Sequence, residues 1–561
     1  MASKKVVIIG GVAGGATAAA RLRRLDEQAH IILIERGEDI SFANCGLPYY
    51  IGGIIQERGK LLVTTPPAMT ARYGLDIRTR TEARRIDPQK KEVELYDFRQ
   101  KTSYVETYDA LILSPGASPI RPPIPGISDP RIFTLRNLPD ADAIKQYLDE
   151  RRPKHAVIVG GGYIGLEMAE SLHHAGVKVT ICEKLAQVMM PLDFEMAALA
   201  HQHIQTRNVE LYLHDGVQRF DAASEHLRVY LESGKVLTTD MVIFSIGVRP
   251  EVELARAAGL KLGESGGIWV DEYLRASDPN IYAVGDAIET THFVTQEKFL
   301  ARLAGPANKQ GRIAANNICG HAETYGGSLA TGIARVFGLT VASAGANERM
   351  LRNANILYKT ALIHAEHHAG YYPGAEQMSV KLLFSPVNGK LLGAQVIGME
   401  GVDKRIDVLA TAMMMGATAA DVERLELAYA PPYGSAKDPV NLAGFVAHNI
   451  LKGETTPIYW HELADAAASP EIFLLDVRAA RECALGMIPG AKNIPLDELR
   501  ERLRELPKDK RIIIYCQIGV RGYVAERILR QRGFRACNLI GGYKTYRIAT
   551  GKQRNDDGSR E

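Results

Sequence analysis

Residues 41–50 read Ser-Phe-Ala-Asn-Cys-Gly-Leu-Pro-Tyr-Tyr and hold Cys45, the only cysteine before Cys182. A dithiol reductase stores two electrons as an internal disulfide and needs a second thiol a few residues from the first. No other residue from Ser41 to Pro48 can supply one. A redox-active Cys45 therefore takes its partner sulfur from elsewhere, most simply from the substrate. Its thiolate would attack a disulfide or persulfide sulfur, and the thiol of lower pKa would leave faster. The competing reading is a buried, inert thiol, and the polar Asn-Cys-Gly turn argues against it. A second sulfur signal lies at Cys516-Gln-Ile-Gly-Val-Arg521. These six residues read as a loop ahead of a helix over 523–530. Such a loop offers backbone N–H groups, a helix terminus and the Arg521 charge to an anionic sulfur. Phosphatase loops carry one more residue between cysteine and arginine, so the four-residue gap suits sulfur. Two sulfur sites on one chain point to sulfane-sulfur or thiol–disulfide metabolism.

Nucleotide-binding elements flank Cys45. The first is a strand over 5–9, a glycine turn Gly10-Gly11-Val12-Ala13-Gly14-Gly15, a helix over 16–25 and a strand ending at Glu35. A second copy starts at His155, with the turn Gly160-Gly161-Gly162-Tyr163-Ile164-Gly165, a helix over 166–175 and a strand ending at Glu183. Glycines between strand and helix let the backbone approach a pyrophosphate at the positive end of the helix. The second turn is a complete GxGxxG; the first has Val12 at the middle glycine. Glu183 lies 21 residues after Gly162, where a carboxylate accepts a hydrogen bond from a ribose 2′-hydroxyl and repels a 2′-phosphate. That favours NADH, and the neighbouring Lys184 leaves NADPH open. Gly285-Asp286 ends a later strand. Asp286 could accept from a ribityl hydroxyl of FAD or cap a helix.

Length and composition set outer bounds. A chain of 561 residues should hold three or four domains at roughly 150 residues each. Net charge of +3 gives no argument for nucleic acid. Six cysteines at these spacings match neither a disulfide scaffold nor a metal site. The N-terminal apolar run is too short for a signal peptide, and no run could span a membrane, so a cytoplasmic location is expected. The predicted fold class is α/β. Residues 1–118 and 241–324 form an FAD-binding domain, and 119–240 form a domain binding NAD(P)H. An α+β unit spans 325–450, a linker 451–457 and a small α/β domain 458–561.

The glycine turns, SFANCGLPYY, VGDA and the α+β unit together resemble the FAD-dependent pyridine nucleotide-disulfide oxidoreductases. The single cysteine, with LAGPANKQGR (303–312) and LAYAPPYGSAKDPVN (427–441), is similar to the coenzyme A-disulfide reductase branch. The last domain resembles a single rhodanese domain through DVR (476–478), IPGAKNIP (488–495) and CQIGVRG (516–522), with Met487 where most rhodaneses carry histidine. Fusions of these parts are known as CoA-disulfide reductase–rhodanese proteins, some of the NADH-dependent persulfide reductase type. The resemblance implies FAD, NADH and coenzyme A as cofactors or bound substrate, and a homodimer acting on small thiols, disulfides or persulfides. It implies that Thr17, Arg21, Arg24, Ser41, Asn44, Asn308 and Lys437 hold coenzyme A. It implies that Tyr371 and Tyr429 reach Cys45 from the partner subunit, where a phenol can donate a hydrogen bond to developing anionic sulfur. Arg21 and Arg24 lie three apart on one helix face.

Two other functions stay open at this point. A peroxidase or oxidase also works with one cysteine, cycling through a sulfenic acid. A sulfurtransferase could carry the flavin part only as a redox regulator.

Overall fold

The computed structural model describes residues 4–222 and 225–551. Its contacts divide the chain into two compact units. One takes in the chain to Val188 together with Asn208–Ala330, and the other takes in Met189–Arg207 together with the chain from Thr331. Among the described residues no helix is long and apolar enough to cross a membrane, and no group of three His, Cys, Asp or Glu side chains could hold a metal ion.

The first unit holds two five-stranded parallel sheets. In spatial order across each sheet these run Ile281–Ala283, Ala110–Leu113, Lys5–Ile9, His30–Ile34, Asp76–Arg78 and Glu210–Tyr212, Lys178–Cys182, His155–Val159, Met241–Phe244, Ile132–Phe133. Each places the strand that feeds a glycine turn at its centre. Both faces of such a sheet are covered, so its strands are runs of Val, Ile and Leu rather than alternating sequences. Val6, Val7, Ile8 and Ile31–Leu33 are fully buried. The Met241–Phe244 strand pairs with His155–Val159. It belongs to the second sheet, not to the FAD domain that the sequence reading starts at 241. An apolar run shows that a strand is buried but not which neighbour it pairs with. The chain crosses back immediately afterwards, where Val248–Pro250 pairs antiparallel with Ala117–Pro119.

The helices begin earlier than glycine content suggests. Ala13–Leu25 and Tyr163–His174 are already helical, so the turns proper are Gly10–Val12 and Gly160–Gly162. The last glycine of each pattern sits inside its helix for a steric reason. A Cβ on Gly15 would lie 1.8 Å from the Gly10 carbonyl oxygen, and one on Gly165 would lie 2.0 Å from that of Gly160. The middle position carries no such constraint. At Gly162 a Cβ would meet nothing within 4 Å, which explains why Val12 is tolerated in the first copy.

In the second unit, Gly332–Val336, Leu339–Gly345, Leu391–Gly398, Gln377–Phe384 and Lys359–Glu366 form an antiparallel sheet in that spatial order. A parallel sheet, Pro457–Ile458, Arg535–Leu539, Arg511–Tyr515, Ile472–Asp476, Lys492–Asn493, makes the C-terminal domain. The two are joined by polar contacts as well as packing. The buried His364 ring bridges Ser379 Oγ at 2.7 Å and Thr545 Oγ1 at 2.9 Å. Tyr459 donates to the Thr360 carbonyl at 3.2 Å. Lys381, fully buried, ion-pairs with Asp193, Glu195 and Glu348 at 2.5–2.8 Å, and the other Glu195 oxygen accepts from Trp460 Nε1 at 3.2 Å.

Candidate active sites

Cys45 lies in a single 3-10 turn, Asn44–Gly46, ahead of the short helix Leu47–Ile51. Three ties hold this segment. Ser41 N–H donates to the Gly11 carbonyl at 2.9 Å, so the cysteine segment hangs from the first glycine turn. Ala43 N–H donates to the Leu61 carbonyl at 2.8 Å. The short helix packs on Tyr163–His174, where a Cβ on Gly52 would come within 3 Å of Ser171. Cys45 is thus fixed between the two nucleotide units. Cys45 and Asn44 are exposed, while Ser41 is half-buried at φ +48°.

Although Cys45 reaches solvent, neighbouring atoms crowd it, and this desolvation is the first cause that raises its thiol pKa. The carboxylates of Glu167 and Asp286 add to it. The chain's own groups therefore disfavour the thiolate that the sequence reading invokes. Burial, helped by Glu170, lifts the Glu167 carboxyl to about 7. Burial raises Asp286 as well, opposed by Arg302 and Arg136. Sequence reading missed Glu167. It follows the second glycine turn by only two residues, but nothing in its spacing shows that it faces a cysteine from another element.

The two acidic strand ends adopt the same arrangement. Glu35 accepts from Gly11 N–H at 2.9 Å and Gly37 N–H at 2.8 Å. Glu183 accepts from Gly161 N–H at 2.7 Å and Leu185 N–H at 2.8 Å. Each carboxylate is pinned across its own turn. A Cβ on Gly10 would fall 2.0 Å from the Ser114 carbonyl oxygen, and one on Gly160 would fall 2.5 Å from that of Ser245. These bare, tightly folded turns at the carboxyl ends of central strands fit dinucleotides. Gly14 is also where the Ala304–Ile318 helix crosses, since a Cβ on Gly311 would meet the Gly14 carbonyl oxygen at 2.3 Å. Asp286 is not a helix N-cap. It lies within a 3-10 turn, Gly285–Ala287, and Gly285 N–H donates to Gln310 Oε1 at 2.8 Å.

That crossing brings several proposed coenzyme A residues together. Thr17 Oγ1 donates to Asn308 Oδ1 at 2.5 Å, and Arg21 Nε donates to Asn316 Oδ1 at 2.7 Å. Arg24 is exposed one turn further along. Lys437, Tyr371 and Tyr429 lie in the other unit and are exposed; the two phenols share a hydrogen bond of 2.9 Å.

Cys516 follows the Arg511–Tyr515 strand and is fully buried. Gly519 N–H donates to its Sγ at 3.2 Å. The loop's carbonyls are occupied from outside: Tyr543 N–H donates to Cys516 O at 2.8 Å and Lys544 N–H to Gln517 O at 2.9 Å. Gly542, at φ +62°, allows this approach, because a Cβ there would lie 2.5 Å from the Cys516 carbonyl oxygen. Asn538 donates to the Gly519 carbonyl at 3.2 Å and steadies the same peptide. The helix here is Val520–Gln531, so Arg521 sits in its first turn and not in the loop. Its guanidinium is held by Glu482 in two bonds of 2.6 and 2.7 Å. Sequence reading treated Arg521 as a free charge and overlooked Glu482. Beneath the loop, the buried pair Asp476–Arg478 is bidentate, and Arg478 also donates to the Gly486 carbonyl at 2.7 Å.

Residues 4–311 match the family described as pyridine nucleotide-disulphide oxidoreductase. The chain belongs to that family. Residues 333–438 match the dimerisation domain of the same oxidoreductases, and 460–549 match the rhodanese-like domain. Among solved structures, this oxidoreductase is similar to reduced CoADR-RHD of Bacillus anthracis, at 50% identity and a TM-score of 0.97, covering 99% of each chain. It is similar to a NAD-dependent persulfide reductase of A. fulgidus, at 39% identity and a TM-score of 0.90, over 97% of this chain and 100% of the other. A coenzyme A disulfide reductase of Staphylococcus epidermidis is 36% identical over 447 residues, which is 79% of this chain and 99% of the relative.

Proposed function

We propose that the protein is an FAD-dependent enzyme that uses NADH to reduce coenzyme A persulfide, polysulfide or coenzyme A disulfide through Cys45. In this reading its rhodanese domain passes sulfane sulfur through Cys516. The observation that carries this is the isolation of Cys45: one thiol, no second cysteine in its loop, set between two nucleotide-type turns. The names borne by similar proteins support the substrate class.

Bound flavin supplies hydride acceptance from the nicotinamide and two-electron delivery to sulfur. The chain's residues do the rest. Cys45 Sγ attacks a substrate sulfur; one S–S bond forms as the other breaks, and coenzyme A thiolate or hydrosulfide leaves. Two electrons and a proton then cleave the new bond, restoring the Cys45 thiol and releasing the sulfur it had captured as coenzyme A thiolate or hydrosulfide. Glu167, near half-ionised at neutral pH, is placed to hold or release a proton beside that sulfur. Thr17, Asn308, Arg21 and Arg24 form a polar and cationic strip suited to coenzyme A phosphates. In a homodimer the exposed Tyr371–Tyr429 pair and Lys437 would be presented to the partner's Cys45, where a phenol donates to anionic sulfur. In the rhodanese domain, the Gly519 N–H and the Glu482-held Arg521 stabilise a persulfide on Cys516.

The test is NADH oxidation with coenzyme A disulfide, coenzyme A persulfide and hydrogen peroxide side by side, in the native chain and in Cys45→Ser. Sulfur substrates should be turned over and peroxide should not. Cys45→Ser should lose that turnover and still bleach its flavin with NADH. Full sulfur turnover by Cys45→Ser refutes the single-cysteine route, and preference for peroxide moves the enzyme to the sulfenic acid class.

A further inference from the structure

A cavity of about 270 Å³ opens within the unit that holds the antiparallel sheet and the rhodanese domain. Its polar lining comes from three places: Gln202, His203 and Thr206 of the Phe194–Thr206 helix, Gln377 and Ser379 of the sheet, and Lys544 of the Gly542–Ala549 helix. No carboxylate lines it. Lys544 is half-buried, and its ammonium is met only by the neutral Gln377 amide oxygen. No carboxylate pairs with it among the described residues. Arg547, one turn along the same helix, adds a like charge. Burial and Arg547 together depress Lys544 to about 8, and its charge in turn helps depress buried His364.

A half-buried cation with no counter-ion, facing a cavity whose other walls are apolar (Leu199, Leu339, Ile397 and Met399), is relieved by an anion. Lysine binds such groups as a point charge, and amide and hydroxyl donors complete the shell. We propose that this cavity binds a small divalent oxyanion, either a sulfur oxyanion such as thiosulfate or free phosphate, with Lys544 as its charged anchor. The helix that carries Lys544 begins on the Cys516 loop, since Lys544 N–H itself bonds the Gln517 carbonyl. Occupation is therefore sensed one residue from the sulfur-carrying loop. The site is separate from Cys516, whose sulfur faces Gly519.

The test is calorimetric titration of the full-length holoenzyme carrying Cys516→Ser, so that no sulfur can be transferred to position 516. Thiosulfate, phosphate and acetate are the titrants, with Lys544→Gln and Lys544→Arg made in the same background. Thiosulfate or phosphate should bind, acetate should be weaker, Lys544→Gln should lose at least about tenfold in affinity, and Lys544→Arg should retain binding. The ranking of thiosulfate against phosphate tells a sulfur oxyanion from free phosphate. Phosphates also meet other cationic regions of the chain, so the component lost in Lys544→Gln defines this site. Removing a half-buried charge that has no counter-ion should leave thermal stability unchanged or raised, so loss of binding with an intact melting transition is not a folding defect. Isotherms in Lys544→Gln that match its parent overturn the proposal, as does the absence of binding by both divalent anions.

Discussion

At the scale of single residues, Cys45 is disfavoured as a thiolate first by desolvation and then by the carboxylates of Glu167 and Asp286. Glu167 is ionised above about pH 7, and its negative charge then opposes a second one on sulfur. Glu167→Gln should lower the Cys45 pKa and speed its alkylation by iodoacetamide by up to about tenfold, equivalent to one pKa unit. The acceleration should be greatest above pH 7 and fade below it, where the native carboxyl is already neutral; equal alkylation profiles would show that Glu167 does not act on Cys45. Glu183 illustrates a residue with two duties. Its oxygens cap two backbone N–H groups of its own turn, and in the proposed complex it faces the ribose. Glu183→Ala should narrow NADH preference over NADPH and cost about 1–3 kcal/mol of stability through the orphaned donors. Steady-state kinetics with both nucleotides and a melting curve separate these effects. The cysteines and strand-end acids were legible as sequence because their meaning lies in local spacing. Glu167 and Glu482 were not, because each acts on a residue from a different element.

At the scale of elements, the seam between antiparallel sheet and rhodanese helix turns on His364. Burial holds its ring neutral, with a pKa of about 3, against 6.5 for a free histidine. The unfolded chain takes up a proton as pH falls through 6.5, and the folded chain does not until about 3. His364 therefore costs no stability above 6.5, and destabilises progressively as pH drops from there toward 3. His364→Gln should flatten the acid decline of the melting temperature over that window; a parallel decline in both proteins would remove His364 as its cause. Strand positions are read correctly where apolar runs are continuous, as at 5–9. Helix starts were misplaced because glycines at 14, 15 and 165 read as turn residues, whereas close packing requires them inside helices. The helix Pro439–Leu451 goes unread, since its first turn falls in the segment 427–441 taken as motif.

At the scale of the whole molecule, the rhodanese domain shares a compact unit with the antiparallel sheet, and its Cys516 sulfur accepts from the Gly519 N–H of its own loop. The flavin-side and rhodanese-side chemistry should therefore separate by mutation. Cys516→Ser should abolish sulfur transfer from thiosulfate or polysulfide and leave NADH-driven reduction of presented coenzyme A persulfide within about twofold of native, since that substrate reaches Cys45 without a carrier. Loss of both activities together would make the two cysteines one obligatory relay. Domain order was legible from the repeated glycine turns and the motifs of the last domain. The assignment of the 241–244 strand was not, because pairing partners are a tertiary choice.

The two glycine turns also divide labour among their own positions. The first and last glycines are locked by backbone oxygens about 2 Å from where a side chain would begin, so the scaffold forbids variation there. The middle position is open in one copy and filled by Val12 in the other. A repeated unit built this way can differ at the position where no protein atom crowds a side chain while the positions closed by backbone oxygens stay glycine. One turn can then be retuned for a new nucleotide at almost no cost in foldability, and this is a route by which a single ancestral motif could come to serve two different cofactors in one chain.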